Sequence, residues 1–238
     1  MAEAKTPSTA AALERIIGIE AVLFDLDGTL VDTIPLILDS FRYATRTVLG
    51  EAVSDDILRL NVGIPLAIQM RHFTDDEAVA EELLCAYREH NRLHHDERAR
   101  LFDGTAEALS TLARRGVPMG VVTSKAREIA LRGIDLFDLG RFFSVVITMD
   151  DVERFKPDPF PILKAAADMG VDPTRTVYVG DSPHDVDAAN SAGAISIAAP
   201  WGVATRERLL EARPHFVLES ITDLPELLFG DAEPFAVQ

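Results

Sequence analysis

Short apolar runs alternate with stretches of helical periodicity over most of this chain. Apolar runs bounded by turn residues are typical of buried strands, whereas apolar positions three and four residues apart indicate helices. The runs predicted as strands lie at residues 21–24, 118–122, 145–147, 176–179 and 195–198. The glycines expected to end helices at C′ positions are Gly116, Gly133, Gly170 and Gly193. Strands that alternate with helices predict an α/β fold with a largely parallel, Rossmann-like sheet covered on both faces.

A long helical segment interrupts this pattern after the first strand. Its apolar residues recur at helical spacing, and no strand pattern returns for about seventy residues. The segment therefore indicates a small helical bundle. We expect its first helix to begin at Thr33 as the N-cap, with Pro35 in the first turn, and a short helix to follow Ser54. A break is expected at residues 63–66. Thr74 and Glu77 are then expected to form a capping box for a long helix that ends near His95.

These patterns divide the chain into a core and an insertion. We expect a Rossmann-like catalytic core from residues 19–32 and 102–238, with a helical cap domain at residues 33–101. Residues 1–18 are expected to form an N-terminal extension that leads into a short helix around residues 13–17. A length of 238 residues fits one α/β core with a smaller inserted block, and a block tethered at two points can hinge as a lid.

Composition and charge exclude several classes of protein. A formal net charge of -16 argues against nucleic acid and anionic membrane as partners, because both require clustered Lys and Arg. The start of the chain lacks the pattern of a secretion signal and no segment is long and apolar enough to span a membrane, so we expect a cytoplasmic protein. We expect a monomer or a weak homodimer. Cys85 is the only cysteine, which rules out an intramolecular disulfide, and we expect it to be a small buried hydrophobic residue.

The first candidate for chemistry directly follows the first predicted strand. Asp25 and Asp27 are two residues apart in an extended segment, so both side chains point the same way and reach one small ligand. Gly28 permits a sharp turn that leaves main-chain N–H groups free to approach an anion. This arrangement suggests a nucleophile and a proton donor beside a phosphate.

Three further segments place polar side chains at the ends of predicted strands or the starts of helices. Singly, Thr123 and Ser124 read as helix caps, Lys156 as a surface residue, and Asp181 with Asp185 as a cap and a first-turn acid. Together they supply hydroxyl donors, a fixed ammonium group and a carboxylate pair for a hard cation. These are the groups that phosphoryl transfer requires.

At this point the chain resembles the haloacid dehalogenase superfamily. The four ordered motifs of that family are matched by residues 25–29, Thr123, Lys156, and Gly180-Asp181 with Asp185, and the similarity spans residues 21 to about 228. The resemblance implies that Asp25 is the nucleophile, Asp27 the general acid/base, Thr123 and Lys156 the phosphate clamp, and Asp181 a metal ligand. It also implies a helical cap inserted after the first motif.

The same resemblance also indicates which type of reaction is catalysed. An aspartate two residues after the nucleophile favours hydrolysis of a phosphate ester or anhydride, because Asp27 can protonate a leaving oxygen and later deprotonate water. We expect Mg²⁺ to be held by Asp25, the main-chain carbonyl of Asp27 and Asp181, while Asp185 acts directly or through water. The expected partner is a small phosphorylated metabolite or pyrophosphate, processed through an aspartyl phosphate.

Substrate choice is expected to lie with the cap. We expect Gly28, Thr29 and Ser124 to contact the phosphate, and Gly63 and Arg71 to contact the remainder of the substrate. A second candidate region is residues 91–96, beside two histidines that continue an apolar helical stripe and that more often serve as structural groups; they are His90 and His94. Within the superfamily the chain looks most like the pyrophosphatase branch, and phosphoglycolate phosphatases share almost all of these patterns.

Other functions share parts of this pattern. A receiver domain of a signalling protein also uses an aspartate acceptor, a Thr or Ser, a Lys and an acidic Mg²⁺ site, but as a binding switch. A phosphomutase acting on a sugar phosphate would share Asp25 and Asp27 and keep water from the phosphorylated enzyme. A protein that retains only the fold is disfavoured by the complete set of motif residues. Trp201 is expected to pack at the core or rim of the sheet.

Overall fold

The structure is a computed structural model that describes residues 16–230. Its strands are β1 Ala21–Phe24, β2 Val31–Asp32, β3 Arg100–Leu101, β4 Met119–Val122, β5 Phe143–Ile147, β6 Thr176–Gly180, β7 Ile195–Ala198 and β8 Phe216–Val217. Its helices are α1 Ile34–Leu49, α2 Asp55–Asn61, α3 Leu66–Met70, α4 Glu77–Arg98, α5 Thr105–Arg114, α6 Arg127–Leu136, α7 Phe160–Met169, α8 Pro183–Ala192, α9 Arg206–Glu211 and α10 Leu224–Phe229. Short 3₁₀ turns lie at Gly140–Phe142, Met149–Asp151, Pro173–Arg175 and Ile221–Asp223.

Six parallel strands form the main sheet in the order β5-β4-β1-β6-β7-β8. The α/β, Rossmann-like prediction is therefore confirmed. Strand β1 lies between β4 and β6, with Phe24 paired with Val121 on one side and Val179 on the other. The carboxyl ends of these three strands consequently meet at one edge of the sheet, where α/β proteins bind ligands.

Helices cover both faces of the sheet because successive strand residues point to opposite sides. Val22 and Phe24 lie in a buried cluster with residues of α5, α6 and α10. Leu23 points the other way, into a cluster with residues of α7 and α8. A strand that is apolar on both faces reads as a continuous apolar run, which is why β1 was recognisable from its sequence.

The helices between Ile34 and Arg98 form the inserted cap. Their two connections to the sheet run side by side, because β2 and β3 pair as a short antiparallel ribbon. Within the cap, Phe41 of α1 packs on Tyr87 of α4 with ring centroids 4.7 Å apart. The buried residues of this block are continuous with those of the neighbouring core, including Val186. The cap therefore rests on the core, and its proposed boundaries at residues 33 and 101 stay predictions.

The start of α4 differs from the expected capping box. The N-cap is Asp76, whose Oδ1 accepts hydrogen bonds from the main-chain N–H groups of Ala78 at 2.9 Å and Val79 at 3.4 Å. The Thr74 hydroxyl accepts from the N–H of Asp76 instead, at 3.1 Å. An aspartate directly before the first turn was the better cap because its carboxylate also favours the positive end of the helix dipole. The helix also runs past His95 to Arg98.

Two single-residue expectations were wrong. Gly133 lies inside α6 and does not end it; a Cβ there would stand 3.6 Å from the His95 ring, at ordinary van der Waals distance. Cys85 is exposed on α4 and was expected to be buried. Helical periodicity identifies the buried face of a helix only to within about one position, so a cysteine next to that face can lie on either side.

The remaining expectations have mixed outcomes. Gly116, Gly170 and Gly193 have positive φ angles after their helices, as predicted. The short strands β2, β3 and β8 were not predicted. Most of the helix expected around residues 13–17 lies outside the described residues, as does most of the N-terminal extension. In the part of the chain that the structure describes, none of the helices combines the length and apolarity that crossing a bilayer would need.

Candidate active site

Asp25 stands immediately after β1, at the centre of the sheet edge. Its N–H donates to the carbonyl of Val179 at 2.9 Å, so pairing with β6 continues through the residue and holds the side chain rigidly. Only 5% of Asp25 is exposed. Gly28 then turns the chain with a φ of 81°, in the left-handed region that favours glycine. The first motif is therefore a strand end followed by a tight turn, as its sequence predicts.

Lys156 reaches the same point from the loop between β5 and α7. Its Nζ lies 3.0 Å from Oδ1 of Asp25 and 2.6 Å from Oδ1 of Asp185. It also donates to the hydroxyl of Tyr178 at 3.0 Å. The other Asp185 oxygen accepts from the Ser182 hydroxyl at 2.6 Å. Both oxygens of Asp185 are thus already engaged, and this carboxylate anchors Lys156.

Three buried carboxylates converge here. Asp25, Asp181 and Asp185 each offer an oxygen, and these oxygens lie within 4.8 Å of one another. Among the described residues, Oδ1 of Asp25 accepts no aligned hydrogen bond despite its burial. A hard divalent cation prefers carboxylate oxygens at such a site. Asp25 and Asp181 therefore fit a bound cation.

The pKa values of these groups agree with that fit. Burial raises the pKa of Asp25 to about 7, against the opposing charge of Lys156. Burial, together with the charges of Asp185 and Asp25, raises the pKa of Asp181 well above its usual range. Burial also acts on Asp185, but Lys156 and the hydrogen bonds to its oxygens hold that pKa below the ordinary value. Asp25 and Asp181 have no protein cation dedicated to them, so a bound cation would stabilise the charged forms of these two carboxylates.

Two glycines allow the chain to close around Asp181. A Cβ on Gly28 would stand 2.0 Å from Oδ2 of Asp181, and a Cβ on Gly202 would stand 2.2 Å from the same oxygen. The N–H of Val203 donates to that oxygen at 2.7 Å. Gly202 follows β7 and was not among the sequence candidates. Its position beside Trp201, shortly after a strand, is the one sequence feature that could have identified Gly202 as a candidate.

Asp27 does not join the carboxylate cluster with its side chain. Its Oδ1 accepts from Nζ of Lys125 at 2.6 Å and from the hydroxyl of Thr33, the residue before the first cap helix. The Lys125 and Asp27 side chains are 12% and 14% exposed, so the pair is largely shielded from water. Lys125 had no assigned role in the sequence, although it directly follows Thr123 and Ser124.

The loop after β4 connects the site with the cap. The hydroxyl of Thr123 is nearly buried and accepts from the N–H of Lys125 at 3.2 Å. The Ser124 hydroxyl donates to the carbonyl of Gly63 in the cap at 2.7 Å. A Cβ on Gly63 would also stand 3.1 Å from the Ser182 hydroxyl. The cap loop at Gly63 therefore sits directly on the core beside the carboxylates.

A cavity of about 570 Å³ lies between the cap and the sheet edge. Its floor carries the motif residues Asp25, Asp27, Thr123 and Asp181. Most of its wall is apolar, as is common for small-molecule sites. The residues that give the wall this character are Ile37, Val62, Ile64, Leu66, Tyr87, Ile129 and Met149.

Some sequence candidates lie outside this cavity. Arg71 pairs with Glu77 on the surface, at 3.0 Å from Nε to Oε2, and does not line the cavity, so its contact with substrate stays a prediction. Thr29 is fully buried behind the site, where its carbonyl accepts from the Trp201 indole at 3.1 Å. Gly28 adjoins Asp181 and does not line the cavity. Trp201 packs against the core cluster, as expected.

The histidines of the cap helix also fall outside the cavity. The His90 ring stacks on Tyr43, 4.8 Å between centroids, and contacts the Ser40 hydroxyl through Nδ1 at 3.1 Å. His94 packs against His90 at 4.6 Å. His95 is buried against α6. These contacts support the structural role that is commoner for histidines on an apolar helical face.

Comparison with known proteins gives consistent results. A family model described as haloacid dehalogenase-like hydrolase matches residues 22–199. Pyrophosphatase PpaX of Bacillus mycoides is 37% identical over 88% of this chain and 97% of its own length. Pyrophosphatase PpaX of Halalkalibacterium halodurans is 36% identical over 88% of this chain and 97% of its own length.

Solved structures share the fold. A predicted phosphoglycolate phosphatase from Haemophilus somnus superposes with a TM-score of 0.83 at 22% identity, covering 89% of this chain and 99% of that one. A predicted phosphatase from Clostridium acetobutylicum gives a TM-score of 0.78 at 26% identity, covering 87% and 97%. The matched region contains every motif residue described above, and the chain belongs to the haloacid dehalogenase-like hydrolases.

Proposed function

We propose that this chain is a Mg²⁺-dependent phosphohydrolase that cleaves a small phosphate monoester or anhydride through an aspartyl phosphate. One observation carries the proposal. Asp25, Lys156 and Asp181, which are far apart in sequence, converge at the end of β1, and Asp25 and Asp181 line the floor of a cavity. A nucleophile, an ammonium group and a cation-binding carboxylate at one point are what phosphoryl transfer needs.

The residues have distinct tasks in this mechanism. Asp25 attacks phosphorus in line and carries the phosphoryl group while the leaving oxygen departs. Lys156 and the Thr123 hydroxyl bind the phosphoryl oxygens and stabilise the charge that develops on them. A bound Mg²⁺ would supply the charge compensation that the buried pair Asp25 and Asp181 lacks. Asp27, which lines the cavity two residues from the nucleophile, protonates the leaving oxygen and then takes a proton from the attacking water.

The relatives suggest candidate substrates. Relatives 36 and 37% identical are named pyrophosphatases, so inorganic pyrophosphate is the first candidate. Phosphoglycolate is the second, because one structural neighbour is described as a predicted phosphoglycolate phosphatase. The cavity volume of about 570 Å³ exceeds that of either molecule. The absence of isomer formation from a sugar phosphate, followed by NMR, would separate hydrolysis from the alternative phosphomutase activity.

Replacement of the nucleophile tests the proposal. Asp25→Asn should lower phosphate release by at least about 10³-fold, because an amide cannot form the covalent intermediate. The melting temperature should not fall, since the change removes one of three crowded carboxylates. Acid-quenched wild-type enzyme should carry labelled phosphate, and the variant should not.

The matched control is Asp103→Asn, an equally conservative change at an exposed aspartate outside the cavity. This variant should keep wild-type turnover. Substantial phosphatase activity in Asp25→Asn would contradict the assigned nucleophile, and a stable phosphoenzyme that releases no phosphate would favour the receiver-like switch.

A further inference from the structure

The long cap helix α4 presents two arginines to the cavity. Arg88 and Arg92 are four residues apart, so they lie one above the other on the same helical face, and both line the cavity. Among the described residues, neither guanidinium has a carboxylate within ion-pairing distance. Other arginines near this helix are paired: Arg71 with Glu77 and Arg98 with Asp39. The two that face the cavity are thus the ones left available for a ligand.

The core holds this part of α4 in place. Arg132 of α6 donates from Nη1 to the carbonyl of Arg92 at 3.0 Å. The same guanidinium lies 2.8 Å from Oδ1 of Asp96, one turn further along α4. The helix is therefore anchored across α6 at the level of the cavity. Arg88 and Arg92 are consequently positioned over the site before any ligand binds.

The cavity contains few other positive groups. Lys125 lines it too, but its ammonium group already pairs with Asp27 at 2.6 Å. Glu89 and Glu128 are the acidic residues on the cavity wall near these arginines, and neither forms an ion pair with them in the described structure. The remaining wall is mostly apolar. Among the described residues that line the cavity, Arg88 and Arg92 are therefore the cations left unpaired for an anionic group beyond the transferred phosphoryl.

We propose that Arg88 and Arg92 bind a second anionic group of the substrate, on the side of the leaving group. The inference rests on the proposed phosphohydrolase activity and specifies its substrate class: phosphate compounds whose leaving group carries a carboxylate or a second phosphate. Guanidinium groups suit both anions because their N–H donors form paired hydrogen bonds to two oxygens. Local arginines are also required because a chain with a net charge of -16 repels a polyanion at long range.

Three substrates test the inference on the full-length enzyme with Mg²⁺. Phosphoglycolate carries a carboxylate, pyrophosphate carries a second phosphate, and ethyl phosphate has the same ester bond with an uncharged leaving group. Wild-type kcat/KM should be at least about tenfold higher for one of the two charged substrates than for ethyl phosphate. The charged substrate whose kcat/KM falls more in the arginine variants identifies which anion the arginines bind.

Charge-removing variants assign the effect to the two arginines. Arg88→Gln and Arg92→Gln should each lower kcat/KM for the charged substrate by about tenfold, equivalent to about 1.4 kcal/mol, chiefly by raising KM. Hydrolysis of ethyl phosphate should stay within about twofold. Arg46→Gln, which removes the same charge from an exposed cap position outside the cavity, should change none of the three activities. Melting temperatures should match, since all three side chains are exposed.

The outcomes are distinct. Equal wild-type efficiency on all three substrates would overturn the inference and leave the proposed function intact. The same holds if the arginine variants lose activity equally on ethyl phosphate and on the charged substrates. If the wild-type enzyme releases phosphate from none of them, the proposed function fails and the assignment of the arginines fails with it.

Discussion

Oδ1 of Asp27 accepts hydrogen bonds from two side chains that belong to different parts of the chain. Lys125 comes from the loop after β4, 98 residues away in sequence, and Thr33 stands at the entrance to the cap. The carboxylate is therefore held away from the cluster formed by Asp25 and Asp181. An acid/base residue held at a defined place can serve the leaving oxygen without repelling the transferred phosphoryl group.

Removal of the Lys125 ammonium group should show how far the activity depends on the position of Asp27. We expect Lys125→Met to lower kcat by about 10- to 100-fold with little change in KM, because Asp27 loses the group that positions it. Lys125→Arg should recover part of the loss, since it retains a charged donor. Steady-state kinetics of the three proteins would measure both parameters. A variant with normal kcat and a raised KM would show instead that Lys125 binds substrate.

At the scale of single residues, the sequence identified the candidate catalytic side chains but not all of the residues that they contact. Asp25, Thr123, Lys156 and Asp181 were recognisable because each follows a strand-like run and completes an ordered set. Their catalytic roles stay predictions until they are tested. The partnership of Lys125 with Asp27 had no local signal, because a hydrogen bond between distant segments depends on how the strands pack beside one another.

Among the secondary-structure elements, α4 connects cap and core most directly. Its N-terminal end depends on Asp76, its middle carries the two cavity arginines, and its C-terminal part is tied to α6 by Arg132. A helix of 22 residues spans about 33 Å, long enough to join its N-cap in the inserted block to its anchor on α6.

The N-cap of this helix can be tested by substitution. Asp76→Ala should lower the free energy of unfolding by about 1 kcal/mol, because two N–H groups of the first turn lose their acceptor. Thr74→Ala serves as the comparison and should cost less, since its hydroxyl binds only one N–H outside the helix. Urea denaturation would measure both. A larger loss for Thr74→Ala would restore the capping box that the sequence suggested.

Elements with strong periodicity were predicted well, and those without it were not. The five main strands and the long cap helices have apolar patterns long enough to recognise. The two-residue strands β2, β3 and β8 are too short for any pattern, and they exist because neighbouring segments offer them partners. Gly133 shows the same limit, because its helix continues past a glycine that packs against His95.

In the molecule as a whole, repulsion within the carboxylate cluster destabilises the folded state. The sheet brings Asp25, Asp181 and Asp185 together in a buried place. Among residues 16–230, Lys156 is the one cation in contact with this cluster, and it contacts Asp25 and Asp185 but not Asp181. Like charges that share a buried site repel one another strongly. A ligand that binds this cluster only in the folded state therefore stabilises the entire protein.

Added Mg²⁺ should for this reason raise the melting temperature. At about 100 times the dissociation constant the gain is about 2.7 kcal/mol, and chelation with EDTA should reverse it. Differential scanning fluorimetry measures the shift without any substrate. Asp181→Asn should abolish most of the shift, and an unchanged shift in this variant would place the cation elsewhere.

Gly28→Ala provides an independent check that the cation binds at Asp181, and Gly116→Ala is its control. Its Cβ would collide with Asp181, whereas Gly116→Ala places a Cβ at a similar positive φ with no atom within 4 Å. Both variants carry the backbone strain of a left-handed alanine. Only Gly28→Ala should therefore lose the response to Mg²⁺.

The sequence by itself determined the α/β class, the inserted helical segment and the order of the motif residues. These features depend on spacing within short segments, and strand and helix periodicities are local. The tertiary structure alone decided that β4, β1 and β6 are neighbours, that Arg71 faces solvent while Arg88 and Arg92 face the cavity, and that Gly28 and Gly202 enclose Asp181. Such contacts join distant segments, and they follow from the packing of the complete chain, which no short stretch of sequence contains.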